Sequence, residues 1–266
     1  MWNNFAINDI AASYRLRAYI AFSAFVKLQL DHSKTKLSFL WEPITVFFVA
    51  TVLSIVWSEI LDVGDHLHYF FYILIGFTVW SLLFAKIVNR GVASLSARSH
   101  ELSISIKPIS SLCVEDVVYG FLNFFTALPF VLIPSFFFFG VSFFQVGFLC
   151  FSLVLIAITG ISLSLTLGVV AFFFRDVLQV VKAVMRLGFL ITPIIWKPER
   201  LGEYEYLVWY NPFYSYMHIV RSCLIGDEIE AVAVYIAVCL TVVLALLAFI
   251  TLSCFGKNIR RGVFEN

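Results

Sequence analysis

Five stretches, at about 38–57, 69–88, 117–139, 146–174 and 231–255, are long and apolar enough to cross a bilayer, and they limit the fold before anything else does. A helix needs roughly 20 mostly apolar residues to span the ~30 Å hydrocarbon core. Across all 266 residues 61% are hydrophobic and only 13% charged. Soluble domains hold about 45–50% apolar and about 25% charged residues, so a water-soluble globule and a disordered chain are both excluded. The expected fold is an all-α polytopic membrane protein. Net charge is +1, which recruits no nucleic acid in bulk. The five cysteines (Cys113, Cys150, Cys223, Cys239, Cys254) are odd in number and lack CxxC spacing, which argues against a disulfide framework or a zinc site.

A sixth apolar stretch, 180–196, is interrupted by Lys182 and Arg186, four residues apart on one helical face. Both lie near one end and can snorkel to the interface. Charge placement decides whether it counts. With six spans and both termini cytoplasmic, fifteen of the 18 basic residues fall inside, and only Lys197, Arg200 and Arg221 fall outside. The loop 58–68 carries Glu59, Asp62 and Asp65 and no Lys or Arg. With five spans the basic tail Lys257, Arg260, Arg261 would lie outside. The positive-inside rule therefore selects six.

The first residues lack the order and cleavage site of a signal peptide. As a helix over 9–33, Asp9, Ser13, Arg17, Lys27 and Asp31 form one stripe, and Ile10, Tyr14, Ala18, Ala21, Phe25 and Leu28 another. That pattern predicts an amphipathic helix in the cytoplasmic interface, with Arg15, Arg17 and Lys27 toward the headgroups; a member of a packed cytoplasmic bundle is the alternative. No repeat or linker divides the chain, so residues 1–266 are expected to form a single domain.

Catalytic signatures do not develop. There is no GxxxxGK[ST] phosphate loop, His100-Glu101 lacks the second His of a zincin, and Gly160-Ile161-Ser162-Leu163-Ser164 fails as a nucleophile elbow. The five His are not clustered as ligands, and the middles of the clear spans are nearly free of charge. A proton relay would need ionisable residues there, so a channel, or an exporter energised from elsewhere, is expected.

Several local features have two readings. Arg175-Asp176, after the fourth span, is either a salt-bridged coupling turn or an anchor with a helix stop. Thr192-Pro193 breaks an apolar run, giving a hinge near an outer gate or a plain kink. Asn211-Pro212 is a turn between polar and semi-apolar stretches. Two short helices dipping into the outer leaflet fit it, with Trp209, Tyr210, Tyr214 and Tyr216 at headgroup depth, as does a surface loop with an aromatic belt. Aromatic residues make up 18% of the chain, 30 of them Phe; they line a conduit or face lipid. Gly160, Ser164 and Gly168 recur every four residues and allow close helix packing, within the subunit or between two.

Three stretches carry a family likeness: Leu37-Ser38-Phe39-Leu40-Trp41-Glu42-Pro43; Phe173-Phe174-Arg175-Asp176-Val177 with Thr192-Pro193-Ile194-Ile195-Trp196; and Tyr210-Asn211-Pro212-Phe213 with Arg221 nine residues after Pro212. In this order the chain resembles the membrane subunit of type-2 ABC exporters, most closely the permeases for O-antigen or capsular polysaccharide. The resemblance implies a homodimer with two copies of a separate ATPase in the bacterial inner membrane. ATP and Mg would bind that partner, with no cofactor on this chain. The implied cargo is a glycan, lipid-linked. It also implies a coupling helix over 91–108, with Leu95, Arg98 and Glu101, aided by Arg175 and Asp176. A re-entrant outer gate over 198–226 follows, built with Pro193, Trp196, Tyr210, Asn211, Pro212, Tyr214 and Arg221. A same-fold permease for a drug or small lipid is the alternative. An intramembrane enzyme would need clustered Asp, His or Ser at one depth, which the sequence lacks.

Overall fold

The computed structural model describes residues 3–33, 40–104 and 107–265. Lys34, Lys36 and the Leu37-Ser38-Phe39 start of the first motif lie outside the described residues, as does the side chain of Arg261. Among the described residues every regular element is helical. Two short helices, α1 (Asn3–Arg15) and α2 (Arg17–His32), precede α3 (Trp41–Ile60). A continuous helical rod follows: α4 (His66–Thr78), a π-helical turn (Val79–Phe84) and α5 (Ala85–Ala97). After α6 (Ser99–Ile104) come two long helices, α7 (Ile109–Phe139) and α8 (Phe143–Phe173). Then α9 (Val177–Ile191), a 3-10 segment (Pro198–Tyr210), α10 (Tyr214–Ile225) and α11 (Ala231–Glu265) complete the chain.

Among the described residues five helices are long and apolar enough to cross a membrane: Trp41–Ile60, His66–Ala97, Ile109–Phe139, Phe143–Phe173 and Ala231–Arg260. The His66–Ala97 rod is 78% buried over its apolar window, against 22% to 39% for the other four; α3, α7 and α8 pack on it, and α11 packs on α8. On α3, by contrast, only Pro43, Val46, Ala50, Ser54 and Ser58 are buried. That narrow stripe at three- and four-residue spacing leaves Phe47, Phe48 and Ile55 outward, as a lipid-facing helix requires.

Small residues set the closest approach, between α5 and α8. A Cβ on Gly91 would collide with Ser164, one on Gly160 would lie 2.8 Å from Ile87, and one on Gly168 would lie 3.2 Å from the Gly91 carbonyl. The Gly160, Ser164, Gly168 stripe is thus occupied within this subunit, by α5.

The bundle has two chemically distinct ends. The end of α5, the start of α7 and the end of α11 meet at a basic end with Lys27, Arg90, Arg98, Lys107 and Arg260. The start of α4, the end of α7 and the 3-10 segment meet at an acidic end. There His68 packs on Phe139, and the Tyr69 hydroxyl donates to the Ile195 carbonyl at 2.7 Å. The short α9 starts beside the basic end of α8, and the five residues after it reach the acidic end. At 15 residues α9 rises only about 22 Å. From there the chain runs back into the bundle as far as Phe213, which meets Phe84, and α10, nearly all of whose side chains are buried, returns to end at Gly226 (φ +86°) beside Phe139.

The amino-terminal segment differs from expectation in two ways. It is broken at Leu16 into α1 and α2, and of its polar stripe Asp9, Ser13, Lys27 and Asp31 reach α7 while Arg17 is exposed. Asp9 and Ser13 are buried, while Tyr14, Phe22 and Phe25 are exposed. The cause lies in α7, which offers partners for the polar groups.

Candidate functional site

The break after α9 is the first candidate. Thr192 leaves the helix with extended backbone (φ −74°, ψ 135°), and Pro193 has no N–H to continue it. Thr192, Ile194 and Ile195 are buried, so the freed carbonyls cannot rely on water. Side chains from two other helices satisfy them. The Tyr72 hydroxyl lies 3.1 Å from the Pro193 carbonyl and 3.0 Å from that of Trp196. Tyr69 holds Ile195, and Arg221 Nη2 donates to the Pro193 carbonyl at 2.9 Å. Asn211 Nδ2 donates to Thr192 Oγ1 at 2.7 Å, and the Asn211 amide oxygen accepts from the Phe213 N–H, fixing the turn before α10.

Arg221 is the unusual member. It is only 4% exposed, and among the described residues no carboxylate lies within ion-pair distance. Its guanidinium instead sits 3.6 Å from the Tyr72 ring centroid, a cation–π contact. Gly76 makes room, because a Cβ there would collide with Arg221. The clamp continues as ring contacts: Trp80 and Phe84, in the π-helical turn, meet Phe213 at 5.3 and 5.1 Å, and Trp80 also meets Phe189 of α9. A π turn inside a helix often marks a functional position.

The structure brings Pro193, Trp196, Asn211 and Arg221 together here. Pro212 is an exposed turn residue beside them. Tyr210 is 80% exposed and stands apart. Tyr214 and Tyr216 are buried inside the bundle. The Tyr216 hydroxyl bonds Thr159 and Thr241, joining α10 to α8 and α11. Tyr69, Tyr72 and Gly76 escaped the sequence reading, although their spacing of three and four residues on one helix face was a usable signal.

At the basic end a second array runs up one face of α7. Arg98 bonds Glu115 at 3.1 Å, the Leu112 carbonyl at 2.9 Å and Asp116. Lys27 and Ser23 of α2 both reach Glu115 at 2.7 Å. One level higher, Arg90 lies 3.8 Å from the centroid of Tyr119, whose hydroxyl donates to Asp31 at 2.7 Å. Higher again, Lys86 contacts Glu42 at 2.5 Å and Asn123 at 3.0 Å. Asp9 accepts from the Ile109 and Ser110 N–H groups at 2.9 Å each, capping the start of α7 from a different helix.

The segment 91–108 is mostly helix. Leu95 is fully buried against α8 and Arg98 is committed to the array, so neither presents a free surface. Glu101 on α6 is partly exposed and pairs with Lys107 at 3.3 Å. Burial disfavours the Lys107 ammonium, but hydrogen bonds to Tyr19 and Glu101 outweigh it and hold its pKa above the ordinary range. Arg175 and Asp176 are exposed at the α8–α9 turn, and among the described residues no ion pair joins them. Arg15 is exposed, and Arg17 folds back over Tyr14.

Among the described residues no three His, Cys, Asp or Glu are grouped to hold a metal ion. Residues 21–225 match the family model described as ABC-2 type transporter, and the chain belongs to that family. No curated protein matches the chain significantly. The chain is thus a multi-pass membrane protein and the transport subunit of an ABC exporter, a class that works with ATP-binding subunits.

Proposed function

We propose that this permease exports a glycan, lipid-linked, as a homodimer with two separate ATPase subunits. The reading places six spans in the bacterial inner membrane with the basic end and both termini cytoplasmic. The observation that carries it lies at the acidic end, directly after the clamped break. The segment Pro198–Tyr210 exposes Tyr204, Tyr206 and Tyr210 beside Glu199, Glu203 and Glu205. Sugar rings stack on such aromatic faces, and sugar hydroxyls donate to such carboxylates; a purely apolar cargo needs neither. Support for the dimer comes from α9, on which Met185 is the single buried residue. Val180, Val184, Leu187 and Ile191 form an exposed stripe that a second copy would cover. The exposed part of α6, around Glu101, is the surface for coupling to the ATPase.

The test is export in cells that carry the cognate ATPase and glycan-synthesis enzymes. Replacing Tyr204, Tyr206 and Tyr210 together with Ala should cut surface glycan at least tenfold at unchanged membrane levels. Unchanged surface glycan, with loss of resistance to a small toxic compound instead, would overturn the reading in favour of a drug or small-lipid permease.

A further inference from the structure

On the half of the bundle nearer the basic end two cavities share Ala85 and Asn89 of α5, one opening toward α7 and the other toward α9. One, of about 330 Å³, is lined by Lys86, Arg90 and Tyr119. The other, of about 270 Å³, is lined by Trp80, Lys182, Arg186 and Phe189. The four cations differ in how far they are neutralised. Lys86 has Glu42, and Arg90 shares Asp31 and Asp116 at 3.6 and 3.7 Å. Among the described residues Lys182 and Arg186 have no carboxylate within ion-pair distance. The Arg186 Nε donates only to the Lys182 carbonyl, at 3.3 Å.

Lys182 and Arg186 lie five and nine residues into α9, about 8 and 14 Å from its start. Charged side chains within a membrane-spanning stretch face a partner or a path, or snorkel to the interface, and Lys182 and Arg186 are both exposed. Here both line a cleft open to the side, walled by Trp80 and Phe189. We infer that this cleft holds the phosphate group of an anionic lipid, with Lys182 and Arg186 as its principal ligands, Arg90 in the adjoining cavity, and the lipid chains against Trp80 and Phe189. The shared chemistry is a phosphomonoester or diphosphate headgroup, whether carried by a resident lipid or by the exported one. The inference does not depend on the cargo being a glycan.

Native mass spectrometry of the purified full-length protein, titrated with four probes, tests it. Phosphatidic acid and farnesyl diphosphate should bind, and phosphatidylcholine should not. Inorganic phosphate should compete at least tenfold more weakly than either lipid. Lys182→Gln and Arg186→Gln should each weaken lipid binding about tenfold, whereas Lys257→Gln, at the far end of α11, should not. Preference for farnesyl diphosphate assigns the cleft to an isoprenoid-linked lipid, and preference for phosphatidic acid, or equal binding, assigns it to a resident one. Equal binding of phosphatidylcholine, or full competition by inorganic phosphate, refutes the site on the unmodified protein alone, even if a variant fails to fold. Indifference to both substitutions places the phosphate elsewhere and equally ends the proposal.

Discussion

At the scale of single residues, the clamp on the broken segment concentrates its energy in few groups. A buried carbonyl left without a donor costs about 1–3 kcal/mol. Tyr72→Phe removes the hydroxyl shared by Pro193 and Trp196 but keeps the ring under Arg221. It should lower the thermal midpoint in detergent by several degrees, while Tyr235→Phe, at an exposed position, should leave it unchanged. Arg221→Met should cost more, since it also removes the cation–π contact. A neutral Tyr72→Phe would mean that lipid or water already satisfies these carbonyls. Pro193, Asn211 and Arg221 were legible in the sequence because proline and asparagine declare a turn and a cation stands out in an apolar run. Tyr69 and Tyr72 were not, because a tyrosine inside an apolar span counts as one more hydrophobic residue until its hydroxyl has a partner.

At the scale of elements, amphipathicity was legible but its direction was not. The stripe Asp9, Ser13, Lys27, Asp31 has helical spacing whether it faces water or protein. What turns it inward is the polar face of α7, where Glu115, Tyr119 and the uncapped N–H groups of Ile109 and Ser110 wait for partners. The latter two belong to positions whose need for a cap cannot be read without knowing where α7 starts. Asp9→Ala should therefore behave as the loss of a helix cap, costing about 0.5–2 kcal/mol. Hydrogen exchange at Ile109 and Ser110 should quicken while amides in the middle of α7 stay protected. Uniform quickening would instead show that α1 stabilises the bundle as a whole. The same limit applies to 91–108. Its serines and Arg98 read as a polar inner loop, but Gly91 lets α5 lie so close to α8 that the segment continues as buried helix.

At the scale of the whole molecule, the spans were legible because length and hydropathy are additive along the chain, whereas the path between the fourth long helix and α11 depends on packing. That path decides the topology. If α11 begins outside and ends inside, the chain must cross between Phe173 and Ala231. Only α9 with the extended residues after it connects the two ends, since the chain after Trp196 runs in only as far as the contact of Phe213 with Phe84 before α10 returns to Phe139 at the acidic end. The charges agree: Glu199, Glu203, Glu205, Asp227, Glu228 and Glu230 lie on this stretch. Single cysteines in a background lacking the five native ones give the decisive measurement in intact cells. Probes at Glu203 and Asp227, both exposed, should react with a membrane-impermeant thiol reagent applied outside. A probe at Lys257, exposed at the other end, should react only after the membrane is opened. It serves better than one at Arg260, which is tied to the Lys107 carbonyl and to Asp9. Labelling at Lys257 from outside would place the tail with the acidic end, make α9 a surface helix rather than a crossing, and return the count to five.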